Sequence, residues 1–157
     1  MMAKSYDYIY EGSTSDANKQ DGKRGDEDFF PPAGCFKYAF KVPIGTWLDR
    51  DNGWPVAYHG TAEAAVEGII KKGLLINGGA ATPPHGAACG RGIYASQTLD
   101  RALGHAEAFK LSFHGNVKVV FLVRVRPGSM SKHCGGKVWV VDDEENVRVV
   151  AMLVVPV

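Results

Sequence analysis

Cysteine is scarce and odd in number: Cys35, Cys89 and Cys134 stand far apart in a chain of 157 residues. That count argues against a disulfide framework, and the cysteines read as small buried residues. Missing too is any apolar run near the about eighteen residues that a membrane-spanning helix needs. Charge of one sign is lacking as well. The formal net charge is +1, so no overall basic field marks the chain for nucleic acid or an anionic membrane. Met1–Asp7 holds no apolar core of the kind a signal peptide carries. No internal repeat is present. These absences point to an ordinary globular protein, and an intracellular one, cytoplasmic or nuclear, is the expectation.

What is present suits one domain of moderate size, with 45% hydrophobic and 22% charged residues. Residues 1–28 are polar, with little apolar surface to offset the entropy of ordering. They read as a flexible N-terminal arm, with Tyr6, Tyr8, Ile9 and Tyr10 as an alternative edge strand or anchor. Residues 29–157 read as a single folded domain. Phe36, Tyr38 and Phe40 alternate with Lys37, Ala39 and Lys41, the period of a half-buried strand. Trp47–Trp54 reads as a turn-rich loop or hairpin carrying two aromatics. Val56–His59 reads as a short buried strand, and Thr61 as the N-cap of a helix reaching about Lys72, stopped by Gly73. Ala65, Val66, Ile69 and Ile70 share one face of that helix. Leu74–Ile76 reads as a short extended piece, and residues 77–90 as a loop of small residues that can serve as a lid.

Gly92–Ser96 then reads as a strand, and a helix from Ser96 or Thr98 runs through about Phe109. Val117–Val125, Lys137–Val141 and Val147–Val155 are the remaining strands, the last two joined by the acidic turn Asp142–Asn146. Two helices and about six strands, the later ones adjacent in sequence, predict an α+β fold around a largely antiparallel sheet.

Two stretches carry the chemistry: Tyr58-His59-Gly60-Thr61 and Gly90-Arg91-Gly92-Ile93-Tyr94. Each ends or begins a strand and sets a polar or aromatic side chain beside a glycine, whose backbone can approach a flat polar ligand closely. Taken singly, His59 reads equally as a core histidine and Tyr94 as a core strand residue. His-Gly-Thr, a helix, then Gly-x-Gly-Ile-Tyr and a second helix resembles the catalytic domain of the poly(ADP-ribose) polymerase family, within the diphtheria-toxin-like ADP-ribosyltransferases. The likeness runs from about Val56 to the C-terminus. It implies an ADP-ribosyltransferase-like split sheet and NAD as substrate. Transfer would pass through an oxocarbenium-like transition state, as in glycoside hydrolysis.

The resemblance also assigns roles. His59 would clamp ribose, Gly60 would read the nicotinamide carboxamide through its backbone, and Tyr94 would stack on the ring. Thr61, Arg91 and Gly92 would complete the donor site, and the loop with His85 would form its lid. His105 falls where the polymerases carry a second tyrosine, and also reads as an exposed helix residue. Ala102 replaces a carboxamide-binding serine, a loss of about 1 kcal/mol. The sharpest departure is Lys137, which stands in place of the glutamate that bonds the ribose hydroxyl and sets positive charge beside a developing cation. Glu145, or Glu144, would then have to swing in from its turn, although an acidic run is commonly a solvated tip. The implied activity is mono-ADP-ribosyl transfer to an acceptor, expected to be protein with nucleic acid also open. The alternative is a catalytically inactive relative that binds NAD, ADP-ribose or a protein. No metal is expected: His85, Cys89, His133 and Cys134 lack a zinc-site spacing.

Overall fold

A computed structural model describes residues 8–76 and 88–157. The strands are β1 (Tyr8–Tyr10), β2 (Lys23–Arg24), β3 (Glu27–Asp28), β4 (Cys35–Ala39), β5 (Val56–Gly60), β6 (Ile93–Ser96), β7 (Ala108–Leu111), β8 (Gly115–Val125), β9 (Met130–His133), β10 (Val138–Val141) and β11 (Val147–Pro156). The α-helices are α1 (Glu63–Lys72) and α2 (Leu99–Leu103). Nine strands form one sheet in the order β1-β4-β11-β8-β5-β6-β10-β9, with β7 beside β8. Every pairing in it is antiparallel, and β2–β3 is a separate hairpin. The fold is α+β, as the sequence predicts.

The β-branched run of β8 is buried on both faces, which is why it reads as a continuous apolar segment rather than an alternating one. Val117, Val119, Phe121, Val123 and Val125 enter one core with Trp139 and Ile69 of α1. Val120 and Leu122 enter the other with Tyr58, Leu153 and the α2 residues Leu99 and Ala102. The helices therefore cover opposite faces of the sheet. On one side β8 pairs with β11 along its length. On the other it pairs with β7 through Gly115–Lys118 and with β5 through Val120–Arg124. β5 touches β6 at a single pair, Tyr58 with Ser96, and beyond it the sheet divides.

The helices are shorter than the periodicity predicts. α1 begins at Glu63 with Ala62 as N-cap and no side-chain cap. Thr61 lies between β5 and α1, and its carbonyl accepts from the Glu107 amide. Only Val66 and Ile69 of the expected face turn inward, while Ala65 is exposed and Ile70 is 41% exposed. Gly73, at φ 77, closes the helix as expected. The second helix ends at Leu103 instead of Phe109. Residues Ala108–Leu111 leave the helical spacing because β8 needs a ladder partner beyond β5, and Phe109 and Leu111 turn into the core as β7. The short strands β7 and β9 were not legible in the sequence. Leu74–Ile76 is not a strand.

Residues 8–28 lie along the domain, with the edge-strand alternative realised in β1. Ala17, in the 3-10 turn Thr14–Asn18, is fully buried in the α2-side core. Lys132 of β9 bonds Glu27 of β3. Of the cysteines, Cys35 is buried, and burial pushes its thiol up to about 12. Cys134 is exposed and Cys89 half-buried, against the expectation for both.

Two close-packed points should dominate stability. Phe121 has no exposure, and Phe121→Ala is expected to cost about 3–5 kcal/mol in denaturant unfolding. A Cβ on Gly60 would lie 2.0 Å from the Ala102 carbonyl oxygen. Overpacking against backbone costs up to about 3 kcal/mol or more, so Gly60→Ala should lower the melting temperature by about 6–12 °C. A Gly60→Ala protein melting like the wild type would refute that close approach.

Candidate functional site

The division of the sheet between β5 and β6 is bridged by one side chain. Nδ1 of His59 lies 2.7 Å from the Tyr94 carbonyl oxygen. A carbonyl can only accept, so Nδ1 carries the proton and Nε2 of the neutral ring is left as an acceptor. Burial holds the imidazole below its ordinary 6.5. The Tyr94 carbonyl opposes that shift, and the positive charge of a protonated His105 adds to it.

Gly60 follows at the end of β5, with no room for a side chain beneath α2. Its backbone is thereby pressed against Ala102, whose side chain is 1% exposed. Thr61 is buried, and the Glu107 amide donates to its carbonyl. On the facing strand, Gly92 has φ 156, and a Cβ there would lie 2.7 Å from the Val141 carbonyl oxygen. That glycine lets the chain enter β6 flush against β10. Tyr94 is half-buried. Its hydroxyl donates to the Gly90 carbonyl and accepts from the Cys89 amide at 3.1 Å, which ties residues 89–90 over the strand. Arg91 beside it is exposed.

His105 sits just past α2 rather than within a helix, with its amide donating to the Ala102 carbonyl. The structure thus gathers His59, Gly60, Thr61, Tyr94, Ala102 and His105 around the end of β5. Lys137 is exposed at the start of β10, where its carbonyl accepts from the Gln97 amide at 3.0 Å. It directly precedes Val138, which pairs with Ser96 of β6.

The acidic turn lies at the other end of that strand, past the Val141–Ile93 pair. Glu144 accepts from the Ile76 amide at 2.9 Å, and Glu145 is exposed with its amide on the Asp143 carboxylate. Neither carboxylate is placed beside Lys137. Glu107, by contrast, adjoins Thr61, and no sequence signal marked it because it falls inside the overlong second helix. His85 lies outside the described residues. Among the described residues no three His, Cys, Asp or Glu side chains gather to hold a metal. No helix there is long and apolar enough to cross a membrane.

The family model of the poly(ADP-ribose) polymerase catalytic domain matches residues 49–151. No curated protein matches the chain. The matched stretch runs from the loop before β5 into β11 and takes in both motifs and the strands β5 to β10 around them. The chain therefore belongs to the poly(ADP-ribose) polymerase catalytic domain family, whose members transfer ADP-ribose from NAD.

Proposed function

We propose that the chain is a mono-ADP-ribosyltransferase whose donor site is the divided edge between β5 and β6. The observation that carries this reading is the His59–Tyr94 bridge across that division. It supports a neutral His59 whose Nε2 accepts from a ribose hydroxyl. The close-packed Gly60 backbone offers its amide and carbonyl to the nicotinamide carboxamide, and the anchored Tyr94 ring stacks on nicotinamide. In the reaction the bond from ribose to the nicotinamide nitrogen breaks, and nicotinamide leaves with the electron pair. The acceptor nucleophile bonds the same ribose carbon and gives up its proton. Holding both ends of that bond in place is the contribution the site is best built to make.

Lys137 is the ground for proposing single transfer over chain elongation: it offers no carboxylate to a ribose hydroxyl, and its ammonium beside a developing oxocarbenium slows every transfer. The same residue motivates the second reading, an inactive member that binds NAD without turning it over. Protein is the proposed acceptor class.

Titration with NAD and with a nicotinamide-mimicking carboxamide, read by thermal shift and tryptophan fluorescence, tests the donor site. Ligand at a hundredfold its Kd should stabilise the fold by about 2.7 kcal/mol, and Tyr94→Ala should abolish the shift. No shift with either ligand would sink both readings. For turnover, Lys137→Glu is expected to raise NAD cleavage at least about tenfold, equivalent to about 1.4 kcal/mol of barrier. An unchanged rate would remove Lys137 from the site.

The pH dependence follows from the depressed His59 pKa. NAD affinity should be flat above pH 6.5 and fall only at pH values below that, as Nε2 gains a proton. The unfolded state takes up this proton first, so the His59 contribution to stability is complete above about 6.5 and declines as pH falls through the lower folded value. A His59→Gln protein should lose this acid limb of the binding profile.

A further inference from the structure

Five arginines from four separate segments of the chain lie toward the end of the sheet away from His59. Arg124 of β8 and Arg148 of β11 are direct cross-strand partners, an arrangement that places like charges on the same face and costs stability. Arg124 is half-buried and donates to the Trp54 carbonyl at 2.6 Å and the Leu48 carbonyl at 3.2 Å. The Arg148 guanidinium lies 4.6 Å from the Trp47 ring and 4.8 Å from that of Trp54. Exposed Arg126 lies 5.2 Å from Trp54. The β2–β3 hairpin brings Arg24, stacked 4.1 Å over Phe29, and its Gly25 amide donates to the carbonyl of exposed Arg50.

None of the five takes part in an ion pair among the described residues, where the three pairs are Lys19–Asp16, Lys71–Glu67 and Lys132–Glu27. Asp49 and Asp51 sit on the same loop as Arg50 yet stay beyond ion-pair distance. A structural cluster of this charge would gain by recruiting them. Carbonyls and aromatic rings hold the Arg24, Arg124, Arg126 and Arg148 guanidinium groups in place, but they do not cancel the charge.

We propose that this arginine–tryptophan cluster is a binding site for a single-stranded nucleic acid. Phosphates would supply the missing countercharge, since the guanidinium fork fits them in two-point contact. The exposed Arg126 guanidinium, 5.2 Å from the half-buried Trp54 ring, offers a planar cation on which an unpaired base can stack. A lone phosphate would use only the charge, and a regular duplex would hide its base faces. The register separates this cluster from the donor motif: Arg124 faces Val56, whereas His59 faces Phe121, about 10 Å along β8. The site therefore stands without reference to NAD chemistry.

The test is fluorescence anisotropy of a labelled single-stranded oligonucleotide of about a dozen residues with the whole chain. Competitors are inorganic pyrophosphate and the matching duplex. Saturable binding that weakens steeply with salt is expected, with poor competition from both. Arg126→Ala and Arg50→Ala, at exposed positions, should each weaken binding several-fold and lower the salt slope by about one at unchanged melting temperature. Lys72→Ala, on α1, should bind like the wild type. Absence of saturable binding at low salt overturns the proposal. So does pyrophosphate or duplex competing as well as the single strand, or wild-type affinity in both arginine variants.

Discussion

Strand β8 changes partner halfway along its length, and the rest of the molecule is arranged around that change. Its backbone groups need ladder partners on both sides. β11 supplies one side throughout, but on the other β5 ends at Gly60 and β7 begins at Ala108. The chain leaves the sheet after β5 to make α1 and returns beside the same point, where the Glu107 amide meets the Thr61 carbonyl. β5 and β6 are then free to part after one pair, and the gap receives the His59 side chain. A ladder bond that the backbone does not make is replaced by an imidazole bond to the Tyr94 carbonyl.

This geometry has electrostatic consequences. A histidine whose one nitrogen is committed to a carbonyl, and whose ring is shielded by packing, stays neutral and presents an acceptor at neutral pH. The glycine after it is required by packing, because α2 crosses so near that no side chain fits. That close crossing brings Ala102 and His105 to the same edge. Lys137 lies exposed just before β10, with its carbonyl accepting from the Gln97 amide.

Strong local patterns were legible without the structure. The strands over Cys35–Ala39, Val56–Gly60 and Ile93–Ser96 and the Gly73 stop follow from alternation and from glycine's access to positive φ. The two motifs stood out because glycines beside a histidine and a tyrosine are rare in strands built only for packing. The second helix was overextended because Ala106 and Phe109 continue an apolar spacing that suits a helix. The demand of β8 for a partner turned Ala108–Leu111 into a strand, and such a demand has no local sequence signal. The place of Glu107 beside Thr61 was hidden for the same reason.

By itself, then, the sequence determined the fold class and the main strands, because each rests on local spacing, and the two motifs carried the resemblance to the family. Only the tertiary structure decided which of the motif residues meet. It set the His59 tautomer through a carbonyl thirty-five positions away. It kept Glu144 and Glu145 at the opposite end of β10 from Lys137. It also set Arg126 and Arg148 against two tryptophan rings, with Arg124 on the Trp54 carbonyl, in a chain whose net charge is only +1. Composition sums charges over the whole chain, whereas a field at a surface depends on where strand register and loop packing set them down.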